Sequence, residues 1–550
     1  MALLLDLFAY LSVIVHGLTI IAQSMALGGV LFLVFLARPF EAELGEAGVA
    51  IRRRTRQIAF WSMLALVLAE SATLALQGSV LAGTVDLDLM GVLGAEFAIY
   101  SLVKIAGAVV LALMLAGRGD RTPAPLLLVG LVVVLLAATG TTHAAARLDS
   151  RVPLMIVEAL HQLGAAIWIG GIPSFVMALG RCHDGIAWRR VGKRFSQMSM
   201  LGVACILVSG VTMSLLYVGS WDGFYGTAYG VMVGAKITMF LGLLALGGMN
   251  FLLVERLRAD PKTPVTRLKR FAEIEIAVGF SLFFAAASLT SSPPAVDLTT
   301  DRVSWAEIVE RNIPIWPRFA SPSHADLAIP ALQGKLDVEA AEQAKKPLPA
   351  FVEGAGYLPP RNAFDIAWSE YNHHWAGLFV LAIGVLALLN QGGIRWARHW
   401  PLVFLGLAVF LFLRSDPEVW PLGDIGFFES LYDVEVVQHR FFVVLIVVFA
   451  LFEWRVRAGG LAGTRAALVF PAICAIGGTA LLTHQHAIAN VKDQLLIELT
   501  HTPLALAGAG AGWARWLELR LDPPGNRIAG WIWPVCFLVV GLLLLSYREA

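Results

Sequence analysis

Residues 98–116 read AIYSLVKIAGAVVLALMLA, nineteen positions with one charge, Lys104. A helix rises about 1.5 Å per residue, so this run spans about 28 Å, close to the hydrocarbon thickness of a bilayer. The run is continuously apolar and does not alternate, which predicts a helix rather than a barrel strand. Comparable runs recur along the whole chain. Of its 550 residues 58% are hydrophobic and 15% charged, well below the charge content of soluble domains. Backbone polar groups in lipid must be satisfied internally, so the fold class expected is an all-α integral membrane protein.

Fourteen spans are predicted, near 8–36, 58–80, 98–116, 124–142, 154–179, 195–218, 229–253, 271–291, 373–390, 400–414, 438–454, 466–483, 494–512 and 529–547. They group as an eight-helix bundle (1–295), a Pro-rich connector (296–367) and a six-helix bundle (368–550). Within the connector one amphipathic stretch is expected, Arg302–Asn312. Basic clusters follow alternate spans: Arg52, Arg53, Arg54 and Arg56, then Arg189, Arg190, Lys193 and Arg194, then Arg256, Arg258, Lys262, Arg267, Lys269 and Arg270, then Arg455, Arg457 and Arg465. The positive-inside rule makes these loops cytoplasmic and both termini extracytoplasmic. The N-terminus lacks a basic leader region and carries Asp6, so it reads as the start of the first span rather than a cleaved signal.

Several functions are disfavoured. Net charge is +1 and no basic tail points to nucleic acid. No Gly-x-x-x-x-Gly-Lys-Ser/Thr loop is present to hold a nucleotide. Cys182, Cys205, Cys474 and Cys536 form no CxxC pair, against a disulfide framework or a zinc–thiolate site.

Histidines carry the functional signal. On this topology ten of the twelve face the outer side; only His183 and His399 are cytoplasmic. Imidazole is the commonest metal ligand and titrates near neutrality, so the outer face is expected to handle a metal, a haem or protons. The first candidate site is His16, His143 and His161, with Glu158 three residues before His161 on the same helix face. The plain alternative is three histidines packing separately at helix ends. The second lies in the six-helix half: Glu370, His373 and His374, then Glu435 and His439, then His484 and His486, then Glu498 and His501. Acid and histidine three or four apart can bind metal in helical bundles; interfacial capping is the alternative. Glu70, Lys104 and Lys236 are ionisable groups inside spans. Glu70 needs a partner, and Lys104 on the next helix is the candidate; Lys236 is read as part of a buried pair or polar relay.

The eight-helix half contains a faint internal repeat: His16 then Gly28-Gly29 in the first span, His161 then Gly170-Gly171 in the fifth. The stretch Glu158-Ala-Leu-His161-Gln-Leu-Gly-Ala-Ala-Ile-Trp168-Ile-Gly170-Gly171 resembles the copper-resistance protein D (CopD) family. Further matching pieces follow in order: Phe195-Ser-Gln-Met-Ser, Ser209-Gly210, Tyr229-Gly230, Lys236, Asn250, Arg270, Glu273 and Ser291-Ser-Pro293-Pro294, with Thr142-His143-Ala ahead of them. The core of the resemblance covers about 150–295, extending by layout to 1–295.

The resemblance implies copper uptake or copper handling at a bacterial inner membrane. With the histidines it leads to the reading of a copper permease with copper ion as its cargo, and a periplasmic copper carrier as an optional partner. Residue chemistry alone leaves copper, zinc, iron and nickel open. Two alternatives therefore stand beside the permease: a membrane redox enzyme using haem, iron or a two-metal centre, and a factor delivering copper to an oxidase.

Overall fold

A computed structural model describes residues 2–85, 88–116, 122–147, 150–299, 302–322, 363–417, 419–432, 434–461, 465–483 and 491–549, with isolated positions between 334 and 345. Among these residues the chain is helical and holds no strand, only a single bridge between Val419 and Ile425. It folds as two compact units, one formed chiefly by Met1–Arg302 and one chiefly by the residues from Val303 onward.

The first unit contains α1 (Ala2–Phe32), α2 (Glu41–Val85), α3 (Glu96–Ala116), α4 (Ala124–Thr139), α5 (Arg151–Ile167), α6 (Ile172–Arg181), α7 (Gly185–Tyr217), α8 (Ala228–Ala259) and α9 (Thr266–Leu289). Their starts are marked chemically. Asp184 accepts from the Ala187 N–H at 2.8 Å ahead of α7, and Thr227 accepts from the Gly230 N–H at 3.1 Å ahead of α8. Pro173 sits in the first turn of α6, where its missing N–H costs nothing.

Two features of this unit depart from a row of simple spans. The expected fifth span is two helices, α5 and α6, interrupted at Trp168–Gly171. The interruption allows close approach to α1. A Cβ on Gly170 would lie 1.9 Å from the Ser24 carbonyl oxygen, and one on Gly28 would lie 2.3 Å from that of Ala166. The two copies of the glycine pair suspected as a repeat therefore pack on each other, backbone to backbone. In addition, α2 is 45 residues long, with a non-helical position at Gly45 (φ +56°) that a side chain would strain.

The second unit contains α10 (Ala363–Gln391), α11 (Val403–Arg414), α12 (Val434–Arg457), α13 (Val469–Leu481), α14 (Val491–Arg520) and α15 (Gly525–Leu545). Its core gathers Ile383, Trp400, Phe470 and Trp533. The Arg457 guanidinium lies 5.1 Å from the Trp400 ring and 5.2 Å from the Trp533 ring, while its Nε bonds Glu453 at 2.6 Å. An arginine buried this way is tolerable because its charge is both paired and faced by π-electrons. Residues 303–321 begin with a short helix, Trp305–Arg311, opened by a reciprocal Ser304–Glu307 cap. It lies inside the stretch expected to be amphipathic. Beyond it, Phe319 accepts a 3.1 Å bond from the Trp375 indole on α10, so this part of the connector packs within the second unit.

All fourteen expected spans fall on helices, but the count is not carried by length and apolarity. Ten helical segments among the described residues are long and apolar enough to cross a membrane. The helix Ala124–Thr139 and the segment Arg465–Leu481 are apolar but shorter. Helices α12 and α14 are long but carry charge, including Glu453, Arg455 and Arg457 on the first and Glu498, Arg515 and Glu518 on the second.

All four cysteines are free thiols. Cys182, in the turn after α6, is buried, and burial foremost, then Asp184, pushes its thiol from 9.0 up to about 11. The thiolate is the reactive form, so a variant keeping only Cys182 should resist maleimide at pH 7 while folded and label readily once denatured. Rapid labelling of the folded protein would contradict this burial. The folded state holds this proton more tightly than the unfolded chain. The associated stability is whole below pH 9 and is lost as pH rises towards 11.

Candidate functional site

In the first unit, α1 and α5 run side by side in the same direction. Their register is fixed where the Gln23 amide donates to Gln162 Oε1 at 2.9 Å, and Gln162 in turn donates to Glu158 Oε1 at 3.0 Å. One turn away from Glu158, His161 Nδ1 lies 2.9 Å from Ser209 Oγ on α7. The Ser209 hydroxyl gives its one hydrogen to the Cys205 carbonyl at 2.6 Å. Its oxygen must therefore accept from His161 Nδ1–H, which assigns the tautomer and leaves Nε2 as the lone-pair nitrogen. A hydrogen bond on the far nitrogen is how proteins orient a metal-binding imidazole. Lys236 on α8 is within electrostatic reach of both Glu158 and His161. His16 stands on the same helix as Gln23, two turns before it. The His143 side chain lies outside the described residues.

Two further polar sites are buried in this unit. Lys104 Nζ lies 2.7 Å from Glu70 Oε2, both side chains under 4% exposed, with Thr141 Oγ1 3.5 Å from the ammonium. Glu275 on α9 was not singled out from the sequence. It accepts from the Asn250 amide on α8 at 2.5 Å, and the Trp168 ring at the α5–α6 interruption lies beside the same carboxyl, both bordering Gly247. The signal in the sequence was Asn250, an amide deep in an apolar span that needed a partner. Gln23 and Gln162 were missed for the same reason and by the same kind of signal.

In the second unit, His373 on α10 and His501 on α14 face each other with ring centroids 6.2 Å apart. His373 Nδ1 lies 2.8 Å from the Ser369 carbonyl and His501 Nδ1 lies 3.0 Å from that of Ile497. A carbonyl only accepts, so both rings carry their proton on Nδ1 and present Nε2 as acceptor. The Tyr547 ring stacks on His373 at 3.9 Å, and its hydroxyl bonds Glu549. Tyr547, Ser369 and Glu549 were not expected from the sequence.

The other histidines and acids named for this half have different tasks. His374 is fully buried and both nitrogens are committed: Nδ1 accepts from the Arg318 N–H at 2.8 Å and Nε2 donates to the Tyr547 carbonyl at 2.9 Å. That arrangement makes it a structural clasp rather than a ligand. Glu370 lies 3.4 Å from Arg318, His439 lies 2.7 Å from Asp416, and Glu498 accepts from Thr502 at 3.0 Å. His324, His484, His486 and the Glu435 side chain lie outside the described residues. Among the described residues no group of three or more His, Cys, Asp or Glu side chains is arranged to hold a metal ion.

The helices carrying Ser209, Lys236, Asn250 and Glu275 lie where the chain matches a known family model. Residues 189–289 match the family model for copper resistance protein D. The CopD segment covers α8 and α9 and nearly all of α7, and leaves His161 and the Gly170-Gly171 interruption outside it. The chain is also 32% identical over 164 residues to copper transport protein CutJ of Bacillus subtilis (strain 168). That similarity spans 29% of this chain and 29% of CutJ. No solved structure matches. The chain is thus a multi-pass membrane protein by its helices, and a segment of its first unit is similar to the copper resistance protein D family.

Proposed function

We propose that the protein is a copper permease of a bacterial inner membrane, with both termini and the first ligands on the extracytoplasmic side. The carrying observation is His161, held by Ser209 of the CopD segment so that Nε2 is its lone-pair nitrogen, with Glu158 one turn away. An oriented imidazole beside a carboxylate is a donor pair that suits a copper cation. Further polar groups follow at Gln162 and Gln23, which gives a desolvated ion successive partners. Interrupted helices near membrane depth are common substrate sites in transporters.

The test is copper uptake into vesicles containing the purified full chain, followed by elemental analysis. His161→Ala should fold normally, lose bound copper and fall to the background of empty vesicles. Wild-type uptake by a folded His161→Ala variant would remove this residue from the mechanism.

One observation favours a second metal site in the other unit. Two metal–nitrogen bonds of about 2.0 Å, with the ring radii added, separate imidazole centroids by roughly 6 Å. The His373–His501 pair is spaced accordingly. On this reading the second unit holds an ion of its own, and copper binding would drop by one ion per chain in His373→Ala.

A further inference from the structure

Glu275 is 4% exposed and its hydrogen-bonding partner Asn250 is 7% exposed. The Asn250 Oδ1 atom is buried without a hydrogen-bond partner. No Lys, Arg or His side chain of the described residues forms an ion pair with Glu275. This contrasts with Glu70 in the same unit, which has Lys104 at 2.7 Å. A carboxylate with neither cation nor proton is costly in such surroundings, so one or the other must accompany Glu275. The Asn250 N–H fixes the carboxyl without neutralising it.

Apart from Glu273, two residues before Glu275 and turned about 200° round the helix from it, the charged groups of the surrounding helices lie at other levels. On α9 Arg270 and Glu273 pair with each other nearer its start, beside Arg267 and Lys269. On α8 Lys236 and Tyr229 precede Asn250 by more than three turns, while Glu255, Arg256 and Arg258 follow it by more than one. On α6 the charge is Arg181 in its last turn; α1 carries Asp6, Tyr10 and His16, and on α5 Arg151, Glu158 and His161 lie about two turns or more before Trp168.

We propose that Glu275 is a proton-exchange site: it carries a proton while the unit is empty and yields it as the cation passes, taking another up once the cation has left. The step balances as one O–H bond of the carboxylic acid broken and one proton passed to water, the ion's positive charge replacing the proton's. The site stands beside the α5–α6 interruption, where the two glycine-pair segments meet. Proton release is thereby tied to the place where the bundle is least regular. This inference rests on the permease reading for its coupling to copper, but the proton site itself does not.

Two readouts separate these. Infrared difference spectra of the full-length protein between acid and alkaline pH should show a carboxylic C=O band that is lost in Glu275→Gln. The band should be shifted in Asn250→Ala, which keeps the acid and removes its amide partner. In vesicles, wild-type copper uptake should expel protons, detected by a trapped dye. Glu275→Gln should lose the proton signal and the pH dependence of uptake while keeping copper bound at His161. A pH-sensitive band that persists in Glu275→Gln, or stays unshifted in Asn250→Ala, overturns the site. Wild-type proton release by Glu275→Gln overturns the coupling. Vesicles that move no copper while the band behaves as expected defeat the permease reading and support the proton site.

Discussion

Gly170→Ala is expected to abolish recovery of folded protein from the membrane. The added Cβ would stand 1.9 Å from the Ser24 carbonyl oxygen, 2.5 Å from the Ser24 carbonyl carbon and 2.8 Å from the Ala166 oxygen. All three are backbone atoms, so no side chain can rotate away. Overpacking a core typically costs about 1–3 kcal/mol when side chains can yield, and this contact offers less room than that. The unit must part α1 from α5, which would also break the Gln23–Gln162 bond that sets the register beside His161. Gly180→Ala is the matched control, because a Cβ there meets nothing within 4 Å. Size-exclusion profiles in detergent should show Gly180→Ala as wild type and Gly170→Ala as aggregate. A monodisperse Gly170→Ala protein would show that the helices are not in backbone contact.

Lys104→Met should be nearly as damaging, and curable. It leaves the Glu70 carboxylate buried without its cation, a loss of about 3–5 kcal/mol where a buried pair is broken from one side. Glu70→Gln should do the same from the other side. The double variant Glu70→Gln with Lys104→Met removes both charges and should recover most of the wild-type thermal midpoint, since an apolar replacement of a buried pair is often neutral. Single variants that melt like wild type would mean the pair is hydrated in the bilayer, contrary to its near-complete burial.

Much of this architecture was legible in the chain. The helices followed from apolar runs, because a bilayer leaves the backbone few other choices. Pairing Glu70 with Lys104 followed from cost alone: two opposite charges lie on consecutive long helices, and neither can remain unpaired in lipid. The break at Trp168–Gly171 was read over as continuous span, since hydropathy does not register a turn made of tryptophan, isoleucine and glycine. Glu275 escaped notice because its partner Asn250 is distant in sequence and only packing brings them to 2.5 Å. His374 looked like half of a metal-binding pair beside His373. Neighbouring residues on a helix point about 100° apart, and here they serve different neighbours, one facing His501 and the other bridging two backbone strands.

That bridge has a consequence for the ends of the second unit. One imidazole clasps the backbone at Arg318, near where this unit begins, and at Tyr547, where it closes. The Arg311 guanidinium reaches the Arg548 carbonyl alongside. The final residues are therefore a fastening, in the way a buckle closes a strap. A chain cut back to Leu545 would not be a slightly shorter protein; it would loosen the segment leading in from the first unit.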